Sequence, residues 1–273
     1  MIMIILNNLS QKCRVMGGGG VGSPSTQVRP AFQPKPPTQE CRTFNKEVAL
    51  MNILQWTKGL FRFGPKKSDP PIWAVRDPVT EAQTLKERYG EDFTAFLYRR
   101  DLYDVLNREA LPLLQPTANN DFLAGSYWAK KHPFNFPGPF YTGETDTCGT
   151  GVPEAPDNIL FDDYCCEYIF RQPSNYQQFI AVKDAAAVEV FDSYGCDGNQ
   201  HWTEQACREW WRDREEITRR LLHDPEYRKQ NGERGQLYVH YLNSTAKRDL
   251  RKYIFFLENG RYPSEEGTPL PEL

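Results

Sequence analysis

Residues 158–170 read NILFDDYCCEYIF, and the way this stretch pairs decides the fold class. Apolar and aromatic residues stand on both sides of Asp162-Asp163, and an acidic pair of this kind favours a turn, so two short strands are predicted around the acids. Successive side chains of a strand alternate between its faces. Cys166, Tyr168 and Phe170 therefore share one face, and Cys165, Glu167 and Ile169 the other.

Helical patterns surround this stretch. Residues 78–88 and 91–109 carry helical periodicity, with Phe93, Phe96, Leu97, Val105 and Leu106 forming a stripe that Leu111-Pro112 ends. Ser174, three positions before Gln177, resembles a capping box that opens a helix running through AVKDAAAVEV (181–190). Thr203 is placed to cap the next helix, whose Ala206, Trp210, Ile217 and Leu221 share a side. QLYVHYLN (236–243) reads as a strand, and Ala246, Leu250, Ile254 and Leu257 mark a last helix. No internal repeat is present. Strands and helices interleave without regular alternation, which predicts an α+β fold: a small, mostly antiparallel sheet packed with several helices.

The chain before this region has a different composition. GGGGVGSPS (17–25) and RPAFQPKPP (29–37) lack the apolar content to build a core, so residues 1–50 are expected to be a disordered Gly/Pro-rich extension. Met51, where the character changes, is a candidate start site. Residues 51–70 form a basic amphipathic linker whose part from 51 to 67 mixes Trp56, Leu60, Phe61 and Phe63 with Lys58, Arg62, Lys66 and Lys67. Docking onto the following domain is the expected use of its apolar side, with weak contact to an anionic membrane surface as the alternative. Residues 71–273 are then expected to be one α+β globular domain.

The opening MIMIIL is too short to cross a bilayer or to serve as a secretory h-region. Seven cysteines, an odd number, argue against a disulfide framework and for a reducing cytoplasmic setting.

The net charge of −3 hides a strong asymmetry. Residues 142–204 contain Glu144, Asp146, Glu154, Asp157, Asp162, Asp163, Glu167, Asp184, Glu189, Asp192, Asp197 and Glu204 against only Arg171 and Lys183, a segment charge of −10. Such a segment repels phosphate backbones, which speaks against nucleic-acid binding, and favours cations or a basic protein.

Chemistry is most concentrated in SYGCDGNQHW (193–202). Asp197, Asn199 and His201 have the odd-position spacing of a calcium loop, but Trp202 and Arg208 stand where an EF-hand needs Gly and Glu. A zinc knuckle is also missing, since Cys165 and Cys166 are adjacent. Cys196 and His201 remain as candidate zinc ligands, with Cys148, or in its place Cys207, as the third. The competing reading makes Cys166 and Cys207 core residues and His201 a hydrogen-bonded one. Cys148 in TDTCGTG is a poor nucleophile candidate because Glu144 and Asp146 oppose a thiolate. Gly149 and Gly151 form no phosphate loop, since no Lys-Ser/Thr follows them.

The leading expectation is a non-enzymatic protein that binds a basic partner protein, as immunity and inhibitor proteins do, by analogy of charge alone. Its acidic, aromatic-rich face comprises Tyr141, Glu144, Asp146, Asp162, Asp163, Tyr194, Asp197 and Trp202, the aromatics acting as anchors and the acids steering encounter. The alternative is a zinc-dependent hydrolase-like enzyme using Cys148, Cys196 and His201 as ligands and Asp146 or Asp197 as general base. No cofactor other than that zinc is expected.

Overall fold

The computed structural model describes residues 77–114, 121–263 and 267–273. The expected extension 1–50 and linker 51–70, with their start-site and membrane-surface readings, lie outside the described residues.

The hairpin predicted at 158–170 is present. Strand β2 (Ile159–Phe161) pairs antiparallel with β3 (Glu167–Ile169) in the register Ile159↔Ile169, Leu160↔Tyr168 and Phe161↔Glu167. Asp162 builds the turn, its Oδ1 accepting from the backbone N–H groups of Tyr164 and Cys166, both at 2.8 Å. Cys165 adopts φ 65° inside this turn and is not a strand residue, which corrects its expected face.

Alternation along the hairpin divides the core in two. Ile159 and Ile169 point into an apolar cluster with Leu85, Phe96, Leu106 and Phe179, whereas Leu160, Tyr168 and Phe170 point into a second cluster with Trp210, Tyr238 and Ile254. Both faces are buried, so every strand position carries a bulky side chain.

The first cluster is built by α1 (Pro78–Tyr89), α2 (Phe93–Leu97), α3 (Leu102–Val105) and α4 (Leu111–Leu114), together with a later helix α6 (Tyr176–Val188). The stripe expected over 91–109 is buried, but the helix is not continuous. The chain leaves it at Tyr98 (φ −98°, ψ 73°), whose ring packs instead against Tyr253, Phe256 and Tyr262. Nor does Pro112 end the helical path. A π-type turn, Leu106–Ala110, precedes α4 and takes up the hydrogen-bond mismatch that a proline introduces. Asn175, one residue later than expected, caps α6 through Gln178 N–H at 2.9 Å, while Ser174 donates to the Gln178 side chain.

The second cluster is built by α8 (Glu204–His223), α9 (Pro225–Asn231), α10 (Gly235–Asn243) and α11 (Ala246–Asn259). Thr203 caps α8 as expected, accepting from Ala206 N–H at 3.2 Å. Residues 236–243 are helical, not extended. Tyr238, Val239, Tyr241 and Leu242 are the buried ones, a spacing that fits one face of a helix and overrides the strand propensity of Tyr and Val.

Between the clusters, β1 (Tyr141–Thr142) pairs antiparallel with β4 (Tyr194–Gly195), and α5 (Gly151–Glu154) and α7 (Gly198–His201) follow β1 and β4 respectively. Buried amides brace the loops here. Asn135 accepts from Thr142 and Ile169 N–H and donates to the carbonyls of His132 and Thr142, tying β1 to β3. Gln172 does the same for Phe136 and Phe140. Gly198 lets two backbones touch, since a Cβ there would lie 2.2 Å from Gly138 O. Among the described residues no helix is long and apolar enough to cross a membrane.

Candidate functional site

The acidic stretch has two fates. Asp146, Asp162, Glu167, Glu189 and Asp197 are buried, whereas the exposed charged residues between 142 and 204 are Glu144, Glu154, Asp157, Asp192 and Glu204, all acids.

Each buried carboxylate accepts hydrogen bonds that hold a loop. Glu167 accepts from Gly151 N–H at 2.7 Å and the Tyr194 hydroxyl at 2.5 Å. Asp197 accepts from the Tyr141 hydroxyl at 2.7 Å and lies 2.9 Å from His201 Nε2. Asp162 adds His132 at 3.2 Å to its turn bonds. A carboxylate offers several acceptor sites at once, which suits it to loops whose N–H groups find no strand or helix partner.

Glu189 and Asp146 combine to fix the turn that follows α6. Glu189 accepts from the N–H groups of Asp146, Phe191 and Ser193 at 2.8, 3.2 and 2.7 Å. Asp146 accepts from Cys148 at 2.7 Å and Val190 at 3.3 Å. Asp192 takes φ 52°, a left-handed conformation that Asp tolerates better than most side chains. Ser193 then donates its hydroxyl to Glu144 O at 2.8 Å and accepts from Gly143 N–H at 2.7 Å, joining the turn to β1.

What this frame holds outward is apolar. Val188, Val190 and Phe191 are 40%, 63% and 60% exposed, with the acids Glu144 and Asp192 beside them in the chain and across the β1–β4 pair. Val190 and Phe191 thus stand on a turn fixed by two interior carboxylates, and Val188 ends α6 just before it.

Burial shapes the electrostatics. Desolvation pushes Glu167 up to about 7, opposed by its bonds from Tyr194 and Gly151 and reinforced by the nearby charges of Asp146 and Glu189. Glu189 is raised for the same first reason. Asp163 is raised by burial and by Asp162.

The residues singled out from sequence are placed as follows. Tyr141, Asp146, Asp162, Tyr194, Asp197 and Trp202 are interior, and Asp163 is half-buried, 4.0 Å from Arg220. Of the expected face only Glu144 is fully at the surface, paired with Lys130 at 3.3 Å. Asp146 and Asp162 are inside because loop N–H groups need acceptors, and Asp197 because it takes the Tyr141 hydroxyl, none of which charge counting sees.

Cys148, Cys196 and His201 do not converge. Cys148 is exposed, Cys196 is buried against Leu123 O and Asn107, and His201 contacts Asp197 and stacks on Trp128 at 5.1 Å. Among the described residues no group of three or more His, Cys, Asp or Glu side chains is arranged to hold a metal ion. Burial pushes the thiols of Cys196 and Cys207 up, away from the thiolate a ligand or nucleophile needs.

In sequence, Val188 and Val190 belong to AVKDAAAVEV (181–190), which reads as one helix, but the helix ends at Val188. Their exposure follows from where the buried face of α6 ends, at Ala186, and no local pattern in the sequence marks that point. Compared with protein-family models, with curated proteins and with solved structures, the chain matches none.

Proposed function

We propose that this chain is a non-enzymatic binding protein that engages a basic partner protein through the turn Val188–Asp192. Val190 and Phe191 are the apolar anchors, and Glu144 and Asp192 are the acidic rim. The observation that carries this reading is the exposure of Val188, Val190 and Phe191 on a turn whose backbone is held by the buried Glu189 and Asp146. A preformed turn loses less conformational entropy on binding than a flexible one, so less of its contact energy is spent on ordering. Exposed charges between 142 and 204 are all negative, which steers a positively charged partner and disfavours polyanions.

The test compares capture of interaction partners by wild type, Phe191→Ala and Glu144→Lys, with thermal unfolding of each as control. The reading predicts a partner of high isoelectric point, lost with Phe191→Ala and bound more slowly by Glu144→Lys, with unfolding midpoints unchanged. Partners retained equally by both variants, or partners without excess basic charge, refute it.

A further inference from the structure

A second surface feature has the opposite charge. A groove of about 450 Å3 runs between the Tyr98–Asp101 segment, which links α2 to α3, and Gly260–Tyr262, which follows α11. Gly260 takes φ 71° and returns its N–H to Phe256 O at 2.8 Å, a left-handed stop that brings Arg261 to the groove's rim.

Three guanidiniums line the groove, and they are not equivalent. Arg99 is neutralised by a two-point pairing with Asp101, Nε to Oδ1 at 2.5 Å and Nη2 to Oδ2 at 2.8 Å. Arg100 donates to two carbonyls, Asn199 O at 3.3 Å and Leu257 O, and lies over the Phe256 ring at 5.3 Å. These partners orient it without cancelling its charge. Arg261 is exposed, and its described contact is the Phe255 ring at 6.0 Å. Among the described residues neither Arg100 nor Arg261 has a carboxylate partner. Asp92 also borders the groove, its Oδ1 accepting from Thr94 N–H, Thr94 hydroxyl and Ala95 N–H, and it keeps its negative charge, so the lining sets three arginines against Asp92 and Asp101. The groove therefore keeps a net positive charge, and one of its cations is held in place by carbonyls and a ring. Its wall is the Tyr98–Tyr262 pair, stacked at 4.1 Å with 6° between the rings.

We infer that this groove binds a small phosphate monoester, its phosphoryl group taken between the guanidiniums of Arg100 and Arg261 and its organic part against the Tyr98–Tyr262 stack. A guanidinium presents its N–H groups as a planar fork that matches phosphoryl oxygens, and Arg100 has spent only part of its donors. A phosphoryl group offers several acceptor oxygens at once, which suits two guanidinium forks better than a single carboxylate does. The volume lies within the range of small-molecule sites. This site is separate from the Val188–Asp192 turn, and neither reading depends on the other.

The experiment is calorimetric titration of the full 273-residue chain at constant ionic strength with phenyl phosphate, inorganic phosphate and sodium benzoate. Phenyl phosphate is expected to bind saturably at one site per chain, more tightly than inorganic phosphate or benzoate. Arg261→Gln should weaken it about tenfold, as loss of a charge-assisted fork does, and Arg212→Gln, at an exposed position on α8, should leave it unchanged. Thermal unfolding of both variants checks that the fold is intact. Absence of saturable binding, equal weakening by Arg212→Gln, or wild-type binding by Arg261→Gln overturns the proposal. Inorganic phosphate binding as tightly as the ester overturns the assignment to an organic monoester.

Discussion

The carboxylate of Glu167 on β3 accepts a 2.5 Å hydrogen bond from the hydroxyl of Tyr194 on β4, and neither side chain has any exposure to solvent. The pair joins the two strand pairs of the fold through their interior, and Gly151 N–H completes the carboxylate's shell. Gly151 is fitted to the contact: a Cβ there would lie 2.5 Å from the Glu167 carboxylate.

Burial raises Glu167 from an ordinary value of 4.5 to about 7. A carboxyl whose folded-state value is raised favours folding when protonated. Its contribution is fully present below about pH 4.5 and is lost as pH rises through about 7, a difference of about 3 kcal/mol at about 1.4 kcal/mol per unit. Glu167→Gln should remove that slope. Denaturant unfolding of both proteins at pH 5 and pH 8 measures it. The variant is expected to gain on wild type at the higher pH, and parallel pH profiles would contradict the assignment.

Lys183, 1% exposed on α6, pairs with Glu81 of α1 and lies 3.0 Å from Asp184. Both carboxylates are partly exposed, so the loss falls on the buried end of the pair. Lys183→Ala is expected to cost about 1.5–3 kcal/mol, the usual worth of a hydrogen bond to a charged group. Lys183→Ala combined with Glu81→Ala should cost less than the sum of the single changes. Chemical denaturation of the three variants gives the coupling.

The turn at Val188–Asp192 owes its shape to Glu189. Glu189→Gln replaces one acceptor oxygen with a donor facing the N–H groups of Phe191 and Ser193, or of Asp146 if the amide is reversed. A loss of about 1–3 kcal/mol follows from the unsatisfied buried groups. Hydrogen exchange at residues 190–193 should accelerate, and partner binding should weaken although Phe191 is intact. Unchanged exchange there would show that the carboxylate does not hold the turn.

Thiol reactivity should follow burial. Cys148 is exposed, whereas Cys196 and Cys207 are buried with their thiols shifted upward by desolvation. Native protein titrated with a disulfide reagent should lose one rapidly reacting equivalent on Cys148→Ser. Cys196 and Cys207 should react only with unfolding. Rapid modification of Cys196, read by peptide mass mapping, would contradict this ordering.

Much of the architecture was legible because it rests on local periodicity. The alternation in 158–170, the Thr203 cap and the stripes of α8 and α11 are short-range signals, and the structure uses them. The reading failed where two periodicities compete over a few residues. At 236–243, alternating Leu237, Val239 and Tyr241 suggest a strand, yet Tyr238, Val239, Tyr241 and Leu242 are buried on a helix. Only packing against the neighbouring helices selects between them.

By itself the sequence determined that residues 158–170 form a hairpin, that helices flank it, and that residues 142–204 carry an excess of acid. Tertiary structure alone decided which acids stay in water. Glu189 and Asp146 are 43 positions apart, and they go inside because the fold brings loop N–H groups within 2.7–3.3 Å of their oxygens. A buried carboxylate is tolerated only where such donors replace its water, and their arrival depends on how distant segments pack. The same packing left Val190 and Phe191 outside, on a turn that no local pattern marks as exposed.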